Sequence, residues 1–154
     1  MHTGEGLTAS IKSRLKYGRN FDFINEITFV DPDHIEGHYR FTGREFFYES
    51  HFLGQPVIPG VILIEMMGQI GMVAHYAWMQ IEQDDPRPFH PLMSQCSAEF
   101  YVPAKVNERM TVKAQKKYFR ANLLRSEVLL YNADAVLVAR VEALLKIVND
   151  SNER

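Results

Sequence analysis

From Val57 to Ile81 the chain carries a single acid, Glu65, and neither lysine nor arginine. That length of apolar sequence is close to what a membrane-spanning helix needs. Glu65, Gln69 and His75 argue against a span. One acid near the centre of such a helix costs about 2.5–3.5 kcal/mol on insertion. Pro56 and Pro59 shorten the uninterrupted helix, and no cation flanks it as an anchor. A helix that is apolar all round belongs inside a protein instead. We therefore expect a central core helix over about 60–80, opened by Pro59-Gly60 and closed by the loop that holds Asp84, Asp85, Pro86, Pro88 and Pro91. One sheet cannot cover such a helix on every side, which points to a partner subunit.

The flanks supply the sheet. Leu7, Ile11 and Leu15 recur at a spacing of four, giving a short amphipathic helix over 7–17, with Thr8 or Ser10 as cap and Gly18 as stop. Asn25 to Val30 reads as a strand with Ile27 and Phe29 on one face, and Asp31-Pro32-Asp33 as a turn. Ile35, Gly37, Tyr39 and Phe41 alternate as in a second strand. Beyond the helix, strands are expected over 97–102, 110–119, 123–131 and 136–148, with a turn at Asn132-Ala133-Asp134 and a frayed tail from Asn149. The order predicts an α+β domain, one unit over 1–154, in which an antiparallel sheet curves around the long helix.

Composition narrows the function. The 154 residues are 46% hydrophobic and 23% charged, with net charge −2, so a basic field for nucleic acid is absent. The polar Met1–Ser10 segment lacks the apolar core of a signal peptide. A lone cysteine, Cys96, excludes an internal disulfide and reads as a small buried residue in a reduced, cytoplasmic protein. His2, His34, His38, His75 and His90 show no ligand spacing and read as structural; no metal is expected. Met66, Met67, Met72, Tyr76 and Trp78 read as core.

Chemistry concentrates between Ser50 and Gln69. His51 precedes a helix and titrates naturally near neutral pH. Gly60 sits at a helix start, where backbone N–H groups lack intrahelical partners and the missing side chain lets a carbonyl approach. Glu65 lies in the second turn of the apolar run, so it must be paired, protonated or facing a polar pocket. Gln69 is one turn further along the same face, within reach of the Glu65 carboxyl. Each residue alone is ordinarily structural or solvated. Acid, amide and helix-start glycine on one greasy element are harder to dismiss.

Ser50-His51-Phe52-Leu53-Gly54, Pro56 to Val61, and Glu65-Met66-Met67-Gly68-Gln69 resemble the β-hydroxyacyl-acyl carrier protein dehydratases of fatty-acid synthesis. The spacing of His51 and Glu65 is that family's, and Phe100-Tyr101-Val102-Pro103 resembles its strand after the long loop. The resemblance implies the hotdog fold, built as a homodimer or a trimer of dimers. It implies His51 as base, Glu65 as acid and Gly60 N–H as the donor to the thioester carbonyl, with Gln69, Phe52 and Val61 lining the substrate site. The substrate would be a β-hydroxyacyl chain on the phosphopantetheine of acyl carrier protein or on CoA, with no further cofactor. The family's isomerising branch carries Asp at the helix position, so Glu65 implies dehydration without double-bond migration. Leu53 and Ser50 stand where the family has Pro and Gly, which bears on the tunnel mouth. A hotdog thioesterase and a non-catalytic acyl-binding subunit are the alternatives. Lys113, Lys116, Lys117, Arg120 and Arg125 form a basic run that reads either as a solvated hairpin or as a docking patch for an acidic carrier protein.

Overall fold

The computed structural model describes residues 4–49 and 57–149. Helix α1 (Gly4–Lys12) leads into strands β1 (Glu26–Val30) and β2 (His34–Arg40). The central helix follows as α2 (Gly60–Gly68), a π turn (Gln69–Val73) and α3 (Ala74–Glu82). Strands β3 (Phe89–Phe100), β4 (Arg109–Arg120), β5 (Leu123–Tyr131) and β6 (Leu137–Asn149) complete the chain. All six strands pair antiparallel in the order β1-β2-β4-β5-β6-β3.

The central helix lies on β2, β4 and β5. Strand β5 alternates buried and half-buried residues along its whole length, as one face turned to a helix requires. Gly71 sets the distance between the layers. A Cβ there would stand 2.9 Å from Val128 Cγ1 and 3.1 Å from the Ala114 Cβ, so only glycine lets the helix settle this close. Met66, Met67, Ile70 and Met72 are fully buried in the resulting core.

The helix needs no second subunit for most of its cover, contrary to the expectation from its composition. Although long and apolar enough to cross a membrane, its most apolar window is 78% buried within this chain. The sheet covers one side, and α1 packs on α3. Exposed apolar side chains include Leu92, Met93 and Phe100 of β3, Tyr101 just beyond it, and Val61 at the start of the helix.

Several boundaries shift. Helix α1 occupies Gly4–Lys12 rather than 7–17, and Leu15 packs on the core from beyond its end. Thr8 does not cap that helix. Its hydroxyl donates to Gly4 O at 2.7 Å and accepts from Ile27 N at 2.9 Å, tying α1 to β1. Phe29 is 47% exposed although Ile27 is buried, because a bulge between them breaks the alternation. Strand β3 begins at Phe89, not 97, and takes in Pro91, which an edge strand tolerates because one side of its backbone has no ladder to fill. Cys96 is exposed on that edge, not buried. Asn149 is buried at the end of β6, opposite Phe89, so fraying does not begin there; the remainder of the expected tail lies outside the described residues.

Candidate active site

Gln69 opens the π turn and is completely buried. Its Oε1 accepts from Phe23 N at 2.9 Å. Its Nε2 donates to Phe21 O and to Glu65 Oε2, each at 2.9 Å. The two backbone partners fix which way the amide faces, since a peptide N–H can only donate and a peptide carbonyl can only accept. The amide nitrogen is therefore turned to Glu65. All three of these partners lie where helical spacing or long-range packing puts them. Glu65 is one helical turn before Gln69, while the segment 21–23 is brought in by packing of Phe23 against Tyr39, Phe41 and Phe47. A π turn at such a point is a common companion of functional sites.

Glu65 is half-buried and lines a cavity of about 360 Å³ between the central helix, the segment Arg14–Phe21 and the start of β3. The walls are mainly apolar, from Leu15, Phe21, Ile64, Val73, Phe89 and Met93, with Tyr17 and His90 among the polar groups. Burial first, and the nearby Glu65 charge second, hold the Tyr17 phenol well above its ordinary range, so it stays protonated.

Gly60 belongs to a different cavity. With Val57, Ile58 and Leu63 it faces Phe100–Ala104 across a space of about 440 Å³. Pro59 caps the helix, and its carbonyl accepts from Ile62 N and Leu63 N at 3.0 and 3.1 Å. Gly60 and Val61 are thus the first helical residues, where the peptide N–H groups point out of the helix. A Cβ on Gly60 would come 3.1 Å from the Phe100 ring, so in this chain the glycine makes room for an aromatic side chain. Val61 is 73% exposed.

A model of the FabA-like domain matches residues 17–142. The chain belongs to the FabA-like domain family. Among curated relatives of this FabA-like chain, the bifunctional enzyme LpxC/FabZ of Porphyromonas gingivalis is 41% identical over 61 residues, 40% of this chain and 13% of that protein. The 3-hydroxyacyl-[acyl-carrier-protein] dehydratase FabZ of Syntrophobacter fumaroxidans is 25% identical over 146 residues, 95% of this chain and 97% of that one. The chain spans under half the length of the first curated relatives it matches, 13% and 45%. In fold it matches the dehydratase heterocomplex ApeI:P from Xenorhabdus doucetiae, with TM-score 0.78 at 12% identity and 93% of both chains covered. A hypothetical thioesterase with coenzyme A from Streptococcus pneumoniae matches with TM-score 0.60 at 13% identity, over 80% of this chain and 85% of that one. The fold is the hotdog.

Of the residues singled out in the sequence of this FabA-like chain, Glu65 and Gln69 are joined, while Gly60 and Val61 stand at the helix start beside a second cavity. His51 and Phe52 lie outside the described residues. Among the described residues, no three His, Cys, Asp or Glu side chains gather as a metal site would require. Tyr17 and the backbone of Phe21 and Phe23 were not legible as site residues, because they are far from Glu65 in sequence and carry no periodic signal. His90, read as structural, lines the Glu65 cavity.

The basic run does not form one patch. Lys113 and Lys117 are exposed, whereas Lys116 turns to Met79 on α3, its Nζ 3.8 Å from the sulfur. Arg125 pairs with Glu142 at 3.3 Å, and Glu36 stands opposite Lys113 in the sheet. Met79 lies about 20 Å along the helix from Glu65 at 1.5 Å per residue. The cations bordering the Glu65 cavity are Arg14 and Lys16 instead.

Proposed function

We propose that this chain is a 3-hydroxyacyl-thioester dehydratase whose site is assembled from two copies. The observation that carries the reading is the Glu65 carboxyl group, held on a fully buried Gln69 and facing a cavity walled mainly by apolar side chains. Family membership and dehydratase relatives support it. In the reaction His51 removes the α-proton of a β-hydroxyacyl thioester. Gly60 N–H, aided by the helix dipole, stabilises the negative charge that builds on the thioester oxygen. Glu65 protonates the departing β-hydroxyl, which leaves as water, and a trans-2-enoyl thioester remains. Proton transfer from His51 to Glu65 through solvent resets the pair. The acyl group would be carried on the phosphopantetheine of acyl carrier protein or on CoA, with Phe52 and Val61 lining its path. No metal or redox group enters the scheme.

Gly60 and Glu65 open into different cavities of one chain. That separation suits a homodimer in which the helix start of one copy completes the Glu65 cavity of the other. The exposed apolar side chains of β3 offer the surface for such pairing. Several dimers of this kind could assemble further as a trimer of dimers.

One purified sample distinguishes the readings. Incubated with trans-2-enoyl pantetheine thioesters, a dehydratase hydrates the double bond and leaves the thioester intact. Release of free thiol without hydration would instead identify a thioesterase, and binding without either reaction an acyl-binding subunit. Glu65→Gln should lower hydration about 10²–10⁴-fold, the usual scale for a positioned acid.

A further inference from the structure

The central helix contains Gly60, Gly68 and Gly71. Packing requires two of them. A Cβ on Gly71 would press on Val128 and Ala114, and one on Gly60 would press on the Phe100 ring. Gly68 differs. Its backbone is ordinary right-handed helix, with φ −67° and ψ −41°, which any residue adopts. Among the described residues, the one atom near a Cβ placed there is the Met93 Cε at 3.7 Å, an ordinary contact with the end of a flexible side chain. Yet glycine is among the poorest residues inside a helix. Gly68 stands three residues after Glu65 on the same face, and both line the cavity of about 360 Å³. That cavity follows the helix from Glu65 past Gly68 to Val73, about 12 Å at 1.5 Å per residue. Across from the helix stand Phe89, Pro91 and Met93, which share one face of β3. Met93 pairs with Leu145 of the same wall and is the last residue before the β3 ladder shifts register. Gly68 and Met93 thus face each other part-way along the cavity.

We propose that Gly68 is a specificity-determining residue, whose missing side chain leaves room beside Glu65 for the acyl chain beyond the β-carbon. The inference rests on the reading of Glu65 as the acid. With the β-hydroxyl at Glu65, the rest of the chain runs along the apolar walls, and the path along the helix crosses Gly68. A path of this length suits a long, unbranched hydrocarbon chain. Any side chain at position 68 would stand across it, between Glu65 and Val73. Met93 sets the opposite limit, and its unbranched thioether adapts to what passes. Without such a role, alanine would serve the helix better at this position.

The test uses the full-length protein and hydration of crotonyl and trans-2-decenoyl pantetheine thioesters, with Gly68→Ala, Gly68→Leu and the double variant Gly68→Leu/Met93→Ala. Wild type should favour the decenoyl thioester in kcat/KM. One carbon added to an apolar pocket shifts selectivity about tenfold or more, so Gly68→Ala should lower the decenoyl-to-crotonyl ratio of kcat/KM about tenfold. Its unfolding midpoint in urea should rise, since alanine is the better helix former and meets no clash. Gly68→Leu should lower the ratio about a hundredfold, and adding Met93→Ala should recover about tenfold of that loss by cutting back the opposite wall. If Gly68→Leu fails to fold, Gly68→Ala decides alone. An unchanged ratio in Gly68→Ala overturns the inference, and so does a wild-type chain that prefers the crotonyl thioester. An equal loss with both thioesters, together with a lower midpoint, would mean that the glycine serves packing, and overturns it too. If Glu65→Gln runs at the wild-type rate, or if the wild-type chain hydrates neither thioester, the reading of Glu65 as the acid fails and the inference falls with it.

Discussion

Gln69 is more constrained than the residue it serves. Replacing it with leucine would leave Phe23 N–H and Phe21 C=O facing an apolar side chain, and would free the Glu65 carboxyl. Two buried groups without partners cost about 1–3 kcal/mol each, so Gln69→Leu should lower unfolding stability by about 3 kcal/mol in urea titrations and depress hydration as well. Its pairing with Glu65 was legible, because two polar side chains four apart on an apolar helix have few other reasons to coexist. Its bonds to Phe21 and Phe23 were not, since nothing in the sequence says which loop lies across a helix face. His75 makes a second residue-scale prediction. Its Nε2 donates to Asp31 O at 2.8 Å, and its buried Nδ1 has no partner among the described residues. Burial, the largest cause, pushes its pKa below the ordinary 6.5, with Lys116 adding to the effect. The unfolded chain takes up this proton near pH 6.5 and the folded chain resists it. Stability should therefore fall as pH drops below about 6.5 and keep falling until the folded state also protonates. Unfolding midpoints measured from pH 7.5 to pH 5 on wild type and His75→Gln should show a shallower slope for the variant.

Elements were read as well as their periodicity allowed. Strands β4 and β5 alternate clearly and fell close to their expected bounds, as did the central helix. Strand β3 is exposed for most of its length, so it has no alternation to detect, and Pro91 marks a loop unless the strand is known to lie at an edge. The same lack of cover explains why Cys96, taken as a buried residue, lies on the surface. The π turn was also invisible, since Gln69–Val73 keeps the apolar character of its flanks. Packing of the helix on the sheet depends on Gly71. Alanine there gains about 1 kcal/mol in helix propensity but must displace Val128 Cγ1 and the Ala114 Cβ, neither of which can swing away. Overpacking of this kind costs about 1–3 kcal/mol, so Gly71→Ala should be net destabilising by about 1 kcal/mol. A gain in stability in guanidinium titrations would mean that the two layers are more loosely packed than these distances require.

At the scale of the whole molecule, Gly60 and Glu65 open to two separate cavities. The sequence suggested a partner from the greasiness of the helix, but this chain itself buries 78% of the helix's most apolar window, so little of that argument remains. The proposed pairing of copies rests instead on Gly60 opening to one cavity and Glu65 to another, and on the apolar side chains exposed along the β3 edge. If His51 and Gly60 of one copy face Glu65 of its partner, inactive variants should complement each other. A dimer that pairs a His51→Ala chain with a Glu65→Gln chain would contain one intact site and one doubly broken site. Random mixing makes half of the dimers mixed, so co-expression of the two variants should restore hydration to about a quarter of wild type for a two-fold symmetric dimer. Mixed dimers isolated by two affinity tags that remain as inactive as either parent would contradict the shared site.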